Sequence, residues 1–118
     1  MKKKNVVREK SFAFAVRVVR LCRFLQQEKK EYVMSKQLLR SGTAIGALIR
    51  EADQAESKAD FIHKMSIALK EADETGYWLE LLQATGYLEP QSGDSMRADL
   101  TELLKLLTAI VKTARSNR

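Results

Sequence analysis

SKADFIHKMSIALKEADETGYWLELLQATG, running from Ser57 to Gly86, is the stretch that decides the fold. Ser57 with Asp60 three residues later is a helix-start signature, because the serine hydroxyl accepts an amide that the first turn leaves orphaned. Phe61, Met65, Ala68, Leu69, Ala72 and Leu79 then recur at the spacing that lines one helix face, and Gly76 lies on the same stripe. Gly86 suits the position that closes a helix, and Pro90 follows the stop. The spacing predicts a helix from Ser57 to about Ala84. Ile67, Trp78 and Leu82 form a second apolar strip, more than one core requires.

The same periodicity appears three more times. From Val33 to Ala55, Met34, Leu38, Ile45, Ile49 and Ala52 line one face, with Gly42 and Gly46 beside it. A glycine costs roughly 1 kcal/mol relative to alanine inside a helix, so this pair predicts close approach of a neighbouring backbone. From Ser11, a plausible N-cap, to Glu28, the stripe is Phe14, Val18, Leu21 and Leu25. Phe12, Ala15, Val16, Val19 and Cys22 widen its apolar arc past half the circumference, whereas a bundle core needs little more than ~100°. From Ser95 to Ala114, with Asp94 or Ser95 as N-cap, the stripe is Met96, Leu100, Leu103, Leu107, Ile110 and Ala114. Four such segments with short connections predict an all-α fold, an antiparallel up-and-down four-helix bundle over residues 11–118. A basic N-terminal arm at residues 1–10 precedes it. The surplus apolar surface on the first and third helices predicts burial against another subunit.

Composition fits one domain of 118 residues, 45% hydrophobic, with a single proline. Cys22 is the only cysteine and forms no internal disulfide. No apolar run approaches the ~20 residues of a membrane span. The basic start Met1–Lys4 runs into Arg8, Glu9 and Lys10 instead of the apolar segment of a signal peptide. The expectation is a soluble, cytoplasmic protein.

The usual catalytic and metal constellations are missing. His63 is the only histidine, too few for a di-iron bundle or a zinc site. Ser41-Gly42-Thr43-Ala44-Ile45-Gly46 lacks the Gly-Lys-Ser/Thr ending of a phosphate-binding loop. Glu71 and Glu74 read as solvated helix charges or as partners for basic residues across a subunit interface. The expectation is a protein that is not an enzyme, with no catalytic residues, no cofactor and no metal.

Net charge is +6, unevenly placed: residues 1–40 hold 12 basic and 3 acidic groups, and residues 41–90 hold 4 basic and 9 acidic. Arg17, Arg20 and Arg23 recur every three residues, and Lys36, Arg40 and Arg50 fall on the outward side of the second helix. With Lys2, Lys3, Lys4, Lys29 and Lys30 they compose one positive surface, suited to phosphate contacts that position RNA or DNA without reading sequence. No aromatic residues interleave with these cations, so base stacking has no obvious platform.

Two blocks, Gln37 to Ala52 and Asp60 to Leu79, resemble the bacterial four-helix bundle family named after proteins encoded in intervening sequences of 23S ribosomal RNA genes. The likeness covers nearly the whole chain. It implies an up-and-down bundle that assembles as a homopentamer. A related branch is the accessory variability determinant of diversity-generating retroelements, a basic pentameric barrel that binds nucleic acid and a reverse transcriptase. The basic positions matched by the resemblance are Arg40 and Arg50; the arginines of the first helix come from the charge pattern. The resemblance implies Asn where this chain has Leu48, an apolar residue in place of a polar one, so local helix packing or subunit contacts are expected to differ there. The expectation is a homo-oligomer that binds RNA or DNA with little sequence preference. The alternative is an interaction scaffold for a protein partner such as a reverse transcriptase.

Overall fold

Four helices, α1 (Lys2–Gln27), α2 (Val33–Asp53), α3 (Lys58–Ala84) and α4 (Pro90–Ser116), make up nearly all of residues 2–117, which the computed structural model describes. Each packs on its neighbour in the chain, and α1 also packs on α4, so the four close into an antiparallel ring. The body measures 49 × 22 × 19 Å. Its interior is filled by the expected stripes: Phe14, Val18 and Leu25 from α1, Leu38, Ile45 and Ile49 from α2, Met65 and Leu79 from α3, and Leu100, Leu103 and Leu107 from α4.

The start and stop of α3 follow its sequence. The Ser57 hydroxyl accepts from the Asp60 amide at 3.0 Å. At the other end Gly86 takes φ +85°, the Tyr87 amide donates to Leu82 O at 2.9 Å, and the Gly86 amide donates to Gln83 O at 3.2 Å. That pair of bonds is the Schellman closure, which needs a left-handed residue at this position.

Other boundaries differ from the periodicity. Ser11 is not an N-cap: α1 already runs from Lys2, so residues 2–10, expected as a separate arm, continue the helix, and Val7 is buried in the core. The Ser11 hydroxyl donates back to Arg8 O at 3.0 Å and lies against Gly46 of α2. Pro90 follows the end of α3 and also opens α4, five residues before the expected start at Ser95, with Glu89 and not Asp94 or Ser95 at the N-cap, since proline fits the first helical position, where no amide bond is lost. Leu82 belongs to the main core, not to an outer strip.

Gly42 lets α1 and α2 meet closely. A Cβ there would lie 2.9 Å from both methyls of Val18. On the opposite side of α2, the hydroxyls of Ser41 and Thr75 lie 3.0 Å apart, both fully buried, and the Thr75 oxygen is also 2.8 Å from Glu71 O. This satisfied polar pair ties α2 to α3. Leu48 packs against the core.

Candidate nucleic-acid interface

The chain turns from α1 into α2 through residues whose backbone needs are met by one carboxylate. Lys30 takes φ 55°, and the Glu31 amide donates to Leu25 O at 2.9 Å. Glu31, only 8% exposed, accepts from the amides of Val33 (3.2 Å), Met34 (3.0 Å) and Ser35 (2.8 Å). A negative charge there also complements the positive end of the α2 dipole. Its oxygens are committed to these amides, which leaves the cations of the turn without it. The sequence hides this role, because Glu31 precedes the helix in no standard capping pattern.

Six basic positions stand out in the sequence, and their fates divide. Arg17 is paired with Asp99 of α4 at 2.5 Å and donates to Ser95 at 3.1 Å. Arg40 reaches across to α3, binding Glu71 at 3.1 Å and also Glu74. Arg50 stacks over Phe12, 5.7 Å from the ring centroid. Arg20, Arg23 and Lys36 have no ion-pair partner among the described residues, and all three are exposed. Arg20 and Arg23 lie in the last two turns of α1, and Lys36 lies in the first turn of α2. They therefore share the hairpin end of the bundle with exposed Lys29 and Lys30.

The single surface expected from all these cations does not form. Lys2, Lys3 and Lys4 begin α1 and Lys29 follows its end, which at 1.5 Å per residue separates them by roughly 40 Å. The side chains of Lys2 to Lys4 lie outside the described residues. Arg20, Arg23, Lys29, Lys30 and Lys36 lie towards the hairpin end, with Arg17 and Arg40 paired inside the chain.

The Arg40 contact is a small network. The Trp78 indole donates to Glu74 at 3.0 Å, and this bond together with Arg40 holds the Glu74 carboxyl below its ordinary range. The same carboxylates, Glu74 first, raise the already high Arg40 value. Tyr77 packs edge-on against Trp78 at 5.0 Å. Glu71 and Glu74 thus serve Arg40 of their own chain.

Sequence reasoning missed the aromatic neighbours of Arg20 and Lys29. Arg20, Phe24 and Lys29 line a groove together with Tyr87 from the α3–α4 connection, and the Lys29 ammonium lies 5.8 Å from the Phe24 ring centroid. Phe24 was visible four residues from Arg20. Tyr87 reaches the groove only through the fold. The expectation that no ring accompanies the cations is therefore corrected.

Among the described residues, no group of three or more His, Cys, Asp or Glu side chains is placed to hold a metal ion. Cys22 is buried and donates to Ser35 O at 3.2 Å. Burial, with a smaller contribution from Glu31, pushes its thiol up to about 11, away from nucleophilic use. No described helix is long and apolar enough to cross a membrane.

Fold and surface together define a basic antiparallel four-helix bundle with a group of exposed, unpaired cations at its hairpin end. The chain matches the model of the family described as 23S rRNA-intervening sequence protein over residues 3–109, and it belongs to that family. A solved structure of a Bacteroides thetaiotaomicron protein, described as of unknown function and from the S23 ribosomal protein family, is 61% identical. The two share a TM-score of 0.92 over 93% of this chain and 98% of that one. No curated protein matches the chain.

Proposed function

We propose that this chain is a non-enzymatic, cytoplasmic, self-associating bundle that binds RNA or DNA through the cations of its hairpin end. The observation that carries the reading is the survival of Arg20, Arg23 and Lys36 without a carboxylate partner among the described residues, while Arg17 and Arg40 have one. Unpaired, exposed cations at one end meet phosphates at little desolvation cost and release counterions when they do. They recognise no base edge, so sequence preference is weak. The family description, which names a ribosomal RNA intervening sequence, supports the same direction.

Self-association rests on the outer side of α1 and α2. Phe12, Val16, Val19 and Arg23 form one line on α1 at helical spacing, and Phe12 is 59% exposed. The groove on the opposite, α3–α4 side carries Asp73 and Glu80 against the single cation Arg97, and Tyr77, which is 56% exposed. A cationic, apolar face opposite an acidic, aromatic one fits head-to-tail contact between copies, and such contacts make a ring where the rotation between copies closes. The homopentamer implied by the family resemblance is one such ring. It would repeat the hairpin cations around one rim.

The test is a titration of labelled RNA and DNA at several salt concentrations. Affinity should fall with a log–log slope of about 0.7–0.9 per phosphate neutralised. Micromolar protein that ignores both polymers at low salt would remove the reading.

A further inference from the structure

We infer that the groove between the last turns of α1 and the α3–α4 connection seats an unstacked base and its phosphate from a single-stranded nucleic acid. The inference rests on the nucleic-acid reading above and specifies its site and strandedness. The groove holds about 440 Å³ and is lined by Arg20, Phe24, Lys29, Tyr87, Glu89 and Ser92, among others. That volume falls within the range of small-ligand sites. It is a seat for one or two nucleotides and not for a duplex.

Three features converge there. Phe24 is 44% exposed, a large ring left at the surface where the neighbouring Leu25 is fully buried. Lys29 sits over that ring and Arg20 beside it has no ion-pair partner among the described residues, giving two cations against the single carboxylate of Glu89. Tyr87 supplies a second ring from a different element. Rings bordered by cations are the means by which proteins hold single strands: every base has a face to stack, and each stacked base brings a phosphate with it. Ser92 lies in the first turn of α4, which no side chain caps, so donors for that phosphate stand at the same wall. In a duplex the base faces are already stacked on one another and cannot enter.

The experiment uses the full chain, isotopically labelled, and follows amide shifts as a single-stranded RNA tetranucleotide is added, with inorganic phosphate as the comparison. In parallel, long single-stranded and duplex RNA are titrated by anisotropy against wild type, Phe24→Leu and Tyr87→Leu. The amide spectra of the variants report that they fold. The expected result is tetranucleotide shifts gathered at Arg20–Phe24 and Gly86–Ser92. Each ring variant should lose about fivefold or more in single-strand affinity, the lower end of what one stacked base contributes, with duplex affinity nearly unchanged. Two results would overturn the groove while leaving the wider reading in place. One is long RNA bound equally well by all three proteins. The other is tetranucleotide shifts no different from those of phosphate alone. Wild type that binds no nucleic acid of either form would overturn both.

Discussion

Arg17 Nη1 lies 2.5 Å from Asp99 Oδ2, an ion pair that joins α1 to α4 across 82 residues of sequence. Lys10 and Glu102 make a second such bridge at 3.1 Å on the same seam. The most regular basic motif of the chain, Arg17-x-x-Arg20-x-x-Arg23, is therefore functionally divided. Reversing Arg20, Arg23 and Lys36 to Glu should abolish the steep salt dependence of nucleic-acid binding and leave thermal stability nearly unchanged. Reversing Arg17 or Arg40 should do the opposite. Single neutral replacements at these two cost up to about 1 kcal/mol each, as exposed pairs do. Parallel melting curves and salt titrations of the two sets check the division.

Lys30 offers a separation of charge from fold. Its φ of 55° is a conformation glycine adopts freely and lysine does not. Lys30→Gly should keep or raise stability, by up to about 1 kcal/mol, while weakening RNA binding by the loss of one phosphate contact. Chemical denaturation beside a salt titration reads both effects on one protein. A large loss of stability would mean that the lysine side chain, not its backbone angle, shapes the turn.

The two packing glycines of α2 should respond differently to alanine. At Gly42 the new methyl meets both Val18 γ-carbons at 2.9 Å, and Val18 is fully buried and β-branched, so it has no rotamer in which to retreat. Overpacking of this kind costs about 1–3 kcal/mol, more than the helix propensity gained. At Gly46 the nearest atom is the Ser11 hydroxyl at 3.4 Å, with backbone at 3.7 Å, which is ordinary contact. Gly46→Ala should be neutral or stabilising by up to about 1 kcal/mol. Denaturation midpoints of the two variants should move in opposite directions.

These residues also show what the sequence made legible. The count of helices, the Ser57 cap and the Gly86 closure are local patterns, each decided within a few residues of chain. Close approach at Gly42 was implied by the cost of glycine in a helix, but its partner Val18 was not, since it lies 24 positions earlier in the chain. The early start of α1 was hidden because Ser11, a good capping type, satisfies its hydroxyl within the helix instead. The α4 start was hidden because Gln91 to Ser95 carry no apolar period and Pro90 reads equally as an end or a beginning. The candidate site was half visible: charge density pointed to the first third of the chain. Which cations stay unpaired depended on Asp99, Glu71 and Glu74, each brought from a distant segment.

Cys22 makes stability sensitive to alkali. Its folded-state thiol titrates at about 11 against an ordinary 9.0, so between those values the folded chain holds a proton that the unfolded chain has released. The stabilisation is complete below pH ~9 and is lost as pH rises towards ~11. The slope over that window is about 1.4 kcal/mol for each pH step of one, or roughly 3 kcal/mol in all. Cys22→Ala is less stable at neutral pH because it leaves a small cavity, but it lacks this slope. The stability gap between wild type and variant should therefore narrow from pH 8 to pH 11 in denaturant titrations. The native thiol should also react slowly with thiol reagents at pH 8. Rapid labelling there would show that α1 and α2 open at the Cys22–Ser35 contact.

Phe12 is the residue on which self-association should turn. It is 59% exposed with Arg50 stacked on it, so a polar replacement removes little from the core of a single copy. In an assembly the same ring would be covered by the next copy, and central aromatic residues carry a large share of interface energy. Phe12→Glu should therefore leave the helical content and melting behaviour of one chain intact while shifting light-scattering mass at tens of micromolar from oligomer to monomer. Tyr77→Glu, on the α3–α4 side, should do the same if contact is head-to-tail. A mixture of the two variants should remain dissociated beyond pairs, because each chain then offers only one intact face. Tyr77→Glu that keeps its full mass while Phe12→Glu is monomeric would show that the Phe12 face pairs with its own kind, and a symmetric dimer would replace the ring.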